Sequence, residues 1–378
     1  MSLSRQVRNV LGVPAMGSLL LVAVACGGAE VEPAVDEAAP ADMAAVLDGR
    51  VPINDLPNPY SSIDGWGKLP DGREWGSTAG VDIDPDGNLW AIDRCGSNSC
   101  AGSDLDPILK FDADGNVTAA IGGGLFLFPH GLHVDRDGNV WVTDARGPNP
   151  DNPDSADKGH VVIKLSPAGE VLLPLGQSGV AGDGTDALLN TPCDVVTAAN
   201  GDIFVGDGHE GQNTDDPDTV ARIVKFDSEG NFLASIGHWG AGPGEFKTPH
   251  ALDIDSRGRL VVGARGNNRL QVLDLNGNFI EQFKQYSRPS GIYIQDDDTI
   301  FVADSESAFD EVRNPGWTPA IRVGNLRDGS IDYLIDGTVE AYPEGSNPEG
   351  VAVDPQGNVY GAVVSGGGAL VRSSKQEG

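Results

Sequence analysis

Residues 129–146 read PHGLHVDRDGNVWVTDAR: an alternating apolar stretch, a tight turn around Asp-Gly-Asn, and a second stretch rich in Val and Trp. Alternation with period two marks a half-buried strand, and the Gly in the turn supplies the backbone freedom that a hairpin needs. The same unit recurs as TAGVDIDPDGNLWAIDRC (78–95), PCDVVTAANGDIFVGDGH (192–209), PHALDIDSRGRLVVGARG (249–266), PSGIYIQDDDTIFVADSE (289–306) and PEGVAVDPQGNVYGAVVS (348–365). Four copies lead into a third strand and turn, ILKFDADGNV (108–117), VIKLSPAGEV (162–171), RIVKFDSEGNF (222–232) and RLQVLDLNGNF (269–279), before a fourth strand. Equivalent positions lie at least 40 residues apart, the shortest step being His250 to Ser290. That is the repeat of a propeller blade. The expected fold is therefore all-β, a six-bladed β-propeller over residues 60–374. The last copy ends one strand short at GALVRSSK, while Tyr60, Ile63 and Trp66 stand spare before the first. The N-terminal strand is expected to complete the sixth blade, which would leave no exposed sheet edge.

Composition agrees with many short strands, since the 52 Gly and 25 Pro are spread along all 378 residues as turn punctuation. A formal net charge of -31 would repel phosphate backbones and anionic lipid heads, so nucleic acid is excluded as a partner. The first residues carry Arg5 and Arg8, then an uncharged apolar run ending in small residues, the build of a signal peptide over residues 1–25. Ala23-Val24-Ala25-Cys26-Gly27 resembles a bacterial lipoprotein box and also fits ordinary A-x-A cleavage. The expectation is an exported monomer, periplasmic or at the cell surface, attached to the membrane through a lipidated Cys26, with a soluble secreted form as the alternative. Residues 26–59, rich in Ala, Pro, Glu and Asp, read as a flexible tether. Cys95 and Cys100 lie close enough for a small disulfide loop, or remain two free thiols, and Cys193 has no evident partner.

The copies differ where chemistry would sit. In a blade the start of the first strand and the end of the second open on the same face, around the channel mouth. At the first position the copies carry Ala79, His130, Cys193, His250, Ser290 and Glu349. His130, His250 and Glu349 fall in blades two, four and six, so three metal-capable side chains are expected to converge on the axis. At the second position stand Arg94, Ala145, Gly208, Arg265, Ser305 and Val364. Two guanidinium groups facing a metal-lined mouth would repel unless an anion lies between them, which points to a small-molecule or peptide substrate bearing a carboxylate. A salt bridge to Asp93 or another acidic neighbour is the competing account. His209 opens on the same face and suits a general acid or base near neutral pH. His133 reads as structural. The long loops after the second strand in blades two, three and five would wall the mouth, bind calcium, or form a solvated acidic rim.

The stretch GEFKTPHALDIDSRGRLVVGARGNNRLQVLDLNGNFI (244–280) resembles the NHL repeat. From roughly Trp66 to Ser305 the chain is similar to bacterial relatives of peptidyl-α-hydroxyglycine α-amidating lyase, most clearly in FPHGLHVDRDGNVWVTD and KTPHALDID. The resemblance implies a six-bladed propeller with catalytic zinc, places the family's zinc histidines on His130 and His250, and its active-site arginines on Arg94 and Arg265. Glu349 stands for the family's third zinc histidine, His209 for its catalytic tyrosine, and Gly350 for an aspartate that helps hold structural calcium. A two-His, one-carboxylate set also suits iron or manganese and makes a weaker Lewis acid. Three functions are compatible with this pattern: a metal-dependent lyase, a lactone or ester hydrolase on the same mouth, and a non-catalytic binding propeller.

Overall fold

The computed structural model describes residues 50–307, 314–335, 348–364 and 369–376. The expected signal peptide, most of the tether and Cys26 lie outside these. The described chain forms six four-stranded antiparallel sheets, five of them with strands in simple sequence order. The sixth combines the strands Pro348–Val353, Val359–Val363 and Ala369–Lys375 with Tyr60–Trp66 from the other end of the chain, which pairs antiparallel with Ala369–Lys375.

The repeated turn explains the repeated sequence. In blade one Asp84 Oδ1 accepts hydrogen bonds from the backbone N–H groups of Asp86 (3.0 Å) and Asn88 (2.9 Å), closing the turn from within. Its other oxygen accepts from the Trp90 indole (3.2 Å) and pairs with Lys110 (2.7 Å). Asp135 repeats the set with Asp137, Asn139, Trp141 and Lys164. One carboxylate thus sets the turn, orients a core tryptophan and ties down the third strand.

The core lies between neighbouring sheets. Trp90, Ile92 and Ile108 of blade one pack with Leu132, Val140 and Val142 of blade two, and Leu89 and Leu109 pack with Ala352, Tyr360 and Leu370 of blade six. Each fully buried large side chain contributes roughly 1.5–3 kcal/mol, so the inter-blade seams carry much of the stability.

Residues 50–59 hydrogen-bond to the propeller. Arg50 Nη1 donates to Asn314 (2.5 Å) and Asn54 Nδ2 to the Gly316 carbonyl (2.7 Å). Leu334 N donates to Pro57 O (3.1 Å) and Gln376 N to Pro59 O (2.8 Å). Side-chain and backbone hydrogen bonds thus hold this stretch against the propeller. Cys95 and Cys100 form a disulfide, and Cys193 is free and buried.

Candidate metal centre

His130, His250 and Glu349 each follow the proline that begins the first strand of blades two, four and six. At each of these places the pairing register with the second strand shifts, between Pro129 and Leu132, Pro249 and Ala251, and Pro348 and Gly350. A residue lifted out of the ladder in this way can be re-aimed, and here the three side chains turn to the axis. The blades also approach closely there. A Cβ on Gly131 would lie 2.5 Å from the Cys193 carbonyl oxygen, so only glycine admits this contact between blades two and three.

That approach fixes the imidazoles. His130 Nδ1 lies 3.0 Å from the Cys193 carbonyl oxygen and His250 Nδ1 2.6 Å from that of Ser290. A carbonyl can only accept, so both Nδ1 atoms carry the proton and both Nε2 atoms present lone pairs. Those lone pairs face Glu349 Oε1, at 3.4 Å from His130 and 3.2 Å from His250. Both Nε2 atoms are buried without a hydrogen-bond partner.

The structure adds a fourth donor. His209 follows Gly208, whose φ of 118° turns the chain back over the mouth, and its backbone N–H donates to Thr191 O (2.8 Å). Its ring stands 4.7 Å from that of His130 and 5.4 Å from that of His250, with Nδ1 buried and unpartnered. Ligand atoms of His130, His209, His250 and Glu349 all lie within 4.8 Å of one another. Sequence reasoning placed His209 on this face as an acid or base and missed its convergence with the imidazoles.

Electrostatics favours a cation. Burial, then the Arg265 charge, brings His250 down to about 4, and burial also lowers His130 and His209. The Arg265 guanidinium, with Nη1 3.1 Å from Glu349 Oε1, favours the ionised carboxylate. Three neutral imidazoles and one carboxylate, with lone pairs facing one another, are the donor set a divalent transition metal requires. The residues fit zinc, and iron or manganese as well.

A bound metal is therefore expected to stay as pH falls through 6.5, the ordinary histidine value, and to leave nearer pH 4, where His250 takes its proton. Metal content after buffer exchange at steps between these limits measures this. Between them the unfolded chain holds the extra proton, so the His250 contribution to metal-free stability falls as pH falls.

The arginines separate. Arg265 Nη1 donates to Glu349 Oε1 (3.1 Å) and lies 3.5 Å from Glu306, which makes it a holder of the carboxylate. Asp93 pairs with Arg73 (2.6 Å), not with Arg94. Arg94 Nε donates to Pro129 O (2.9 Å) and Nη1 to Asn98 (2.8 Å), while Nη2 is buried without a partner. His133 bridges Asp82 (3.3 Å) and Thr197 Oγ1 (2.9 Å), a structural role. Among the described residues no second cluster of His, Cys, Asp or Glu converges as this one does, so no side-chain cage for calcium is seen there.

A family profile described as a 6-bladed beta-propeller matches residues 215–307, and one described as strictosidine synthase-like, N-terminal, matches residues 337–370. The probable peptidyl-alpha-hydroxyglycine alpha-amidating lyase pgal-1 of Caenorhabditis elegans is 30% identical over 217 residues, covering 53% of this chain and 56% of its own. The chain is an NHL-repeat six-bladed propeller with homology to the amidating lyases. NHL repeat-containing protein 3 of Homo sapiens is 31% identical over 214 residues, 56% of this chain and 55% of its own. The chain thus spans about half the length of these relatives. Among solved structures, a gluconolactonase from Xanthomonas campestris superposes with a TM-score of 0.52 at 14% identity, over 81% of this chain and 88% of its own. Virginiamycin B lyase from Staphylococcus aureus does so at 0.51 and 13%, over 83% and 99%. At such identity these two show the fold alone.

Proposed function

We propose that this propeller is a metal-dependent lyase of the amidating type, cleaving an N-acyl-α-hydroxyglycine or similar carbinolamide to an amide and glyoxylate. The observation that carries the reading is the buried set of unprotonated ring nitrogens and one carboxylate beside Arg94, whose Nη2 has no partner among the described residues. Homology to amidating lyases over about half the chain supports it. A bound divalent ion would supply Lewis acidity toward the substrate hydroxyl.

The chain's own residues do the rest. Arg94 takes the substrate carboxylate, because Arg265, which shares its ring position, is already engaged with Glu349. With His130, His250 and Glu349 as the protein's three ligands to the ion, neutral His209 keeps its lone pair and accepts the hydroxyl proton as the hydroxyl becomes the aldehyde of glyoxylate and the C–N bond breaks; the amide nitrogen keeps that electron pair and takes a proton.

The test is glyoxylate release from N-benzoyl-α-hydroxyglycine. Metal-loaded protein is expected to exceed buffer, chelated protein to match buffer, and Arg94→Met to lower kcat/KM by about a hundredfold. Release by the metal-loaded protein no faster than buffer would end the lyase reading; hydrolysis of a lactone or ester panel by the same sample would replace it with the hydrolase.

A further inference from the structure

Glu306 stands two residues past Asp304, as His209 stands two past Asp207, so the two occupy one ring position in blades five and three. His209 turns into the metal centre. Glu306 turns toward the arginine that holds the centre's carboxylate: its Oε1 lies 3.5 Å from Arg265 Nη1, the same nitrogen that stands 3.1 Å from Glu349 Oε1. One guanidinium nitrogen thus faces two carboxylates from different blades, and the nearer of them is the expected metal ligand.

Glu306 is held at that distance. Arg288 grips its other oxygen, Oε2, from Nε (3.0 Å) and Nη2 (2.9 Å), and donates through Nη1 to the Arg265 carbonyl (3.1 Å). The Asp304 carboxylate accepts from the backbone N–H groups of Glu306 (3.3 Å) and Ser307 (3.1 Å), which shapes the turn after the second strand of blade five. Both devices aim Oε1 at Arg265. Burial would raise the Glu306 carboxyl, but the charges of Arg265 and then Arg288 outweigh it and lower it, so the group is ionised near neutral pH.

A cation changes what Arg265 can keep. In the metal-free protein Glu349 Oε1 faces the two imidazole lone pairs, at 3.4 Å and 3.2 Å, and Arg265 is the charge that balances it. An ion held by His130, His250 and Glu349 would take over that balance and bring a second positive charge up to a guanidinium whose side chain is 1% exposed. Repulsion between buried like charges is relieved where the guanidinium has another anion to pair with. Glu306 is such an anion, ionised and already within ion-pair distance.

We infer that Glu306 is a positioning residue for the metal centre: it takes over the Arg265 guanidinium when Glu349 turns to an ion, so that Arg265 passes from one carboxylate to the other according to whether the centre is filled. The inference rests on reading the cluster of three histidines and Glu349 as a metal centre, and not on the reaction carried out there.

Zinc affinity of the purified protein, measured by competition with a chromophoric chelator, tests it. Glu306→Gln is expected to bind zinc about tenfold more weakly than wild type, and Glu306→Asp to recover part of the loss. In an Arg265→Met background the Glu306→Gln change should cost less than about twofold, because the partner it serves is gone. Crystals of wild type with and without zinc check the same step with no substitution: Arg265 Nη1 should stand nearer Glu306 than Glu349 in the zinc-loaded form, the reverse of the metal-free order. Unchanged zinc affinity in Glu306→Gln, a loss undiminished without Arg265, or Arg265 still on Glu349 in the zinc-loaded crystal would each overturn the inference and leave the metal centre standing. Wild type that takes up no zinc would remove the centre and the inference with it.

Discussion

Replacing His130 and His250 together by alanine is expected to take the purified protein from about one bound transition metal per chain to below about a tenth. Each substitution removes a nitrogen whose proton is held on the far side of the ring by a carbonyl of the next blade, and His209 and Glu349 alone make a two-donor site. The fold should survive, because both rings lie on the axis rather than in the seams between blades. Wild type supplied with metal at a hundredfold excess over its Kd should melt roughly 4–8 °C above its chelated form. The double variant should show no such difference. Full metal content in the double variant, by elemental analysis of gel-filtered protein, would sink the site.

The fold could be read from the sequence because each blade repeats its own instructions. Asp84, Gly87 and Asn88 make one turn from five consecutive residues, and Asp135 makes the next in the same way. Ring position then carried the inference across large gaps in sequence: alignment alone placed His130, His250 and Glu349 at equivalent points, and closure of the propeller brings them to one place. What remained hidden depends on contacts between non-equivalent positions. Arg94 and Arg265 look alike in the alignment, yet one meets Glu349 84 residues away and the other meets an aromatic face. His209 was visible as a loop histidine, but its reach into the centre depends on the Gly208 turn and the Thr191 carbonyl. The shift in strand pairing that aims the ring residues inward leaves no mark in composition, although the proline before each of the three is a fair signal for it.

The aspartate that recurs at the end of the second strand carries the largest stability effect expected. Asp207 ends the second strand of blade three and is fully buried, with Arg222 Nε 3.0 Å from its Oδ2. Burial pushes its carboxyl up to about 6 even with Arg222 in contact, so the attraction does not offset the loss of water. The pair is therefore no net gain over apolar packing, while breaking it leaves a buried guanidinium alone. Asp207→Ala should cost about 3–5 kcal/mol in urea unfolding, and Asp207→Ala with Arg222→Met should recover much of that. The loss should reach the metal centre as well. Asp207 Oδ1 accepts from Asn190 N (2.6 Å) and Arg222 donates to the carbonyls of Asp186 (3.0 Å) and Leu188 (2.7 Å), which fixes the loop ending at Thr191. Thr191 O in turn accepts from the N–H of His209. Metal affinity in Asp207→Ala should then fall below wild type at a temperature where both are folded. A double variant as unstable as the single one would show that the cost lies in lost backbone contacts at Asp207 rather than in the stranded charge.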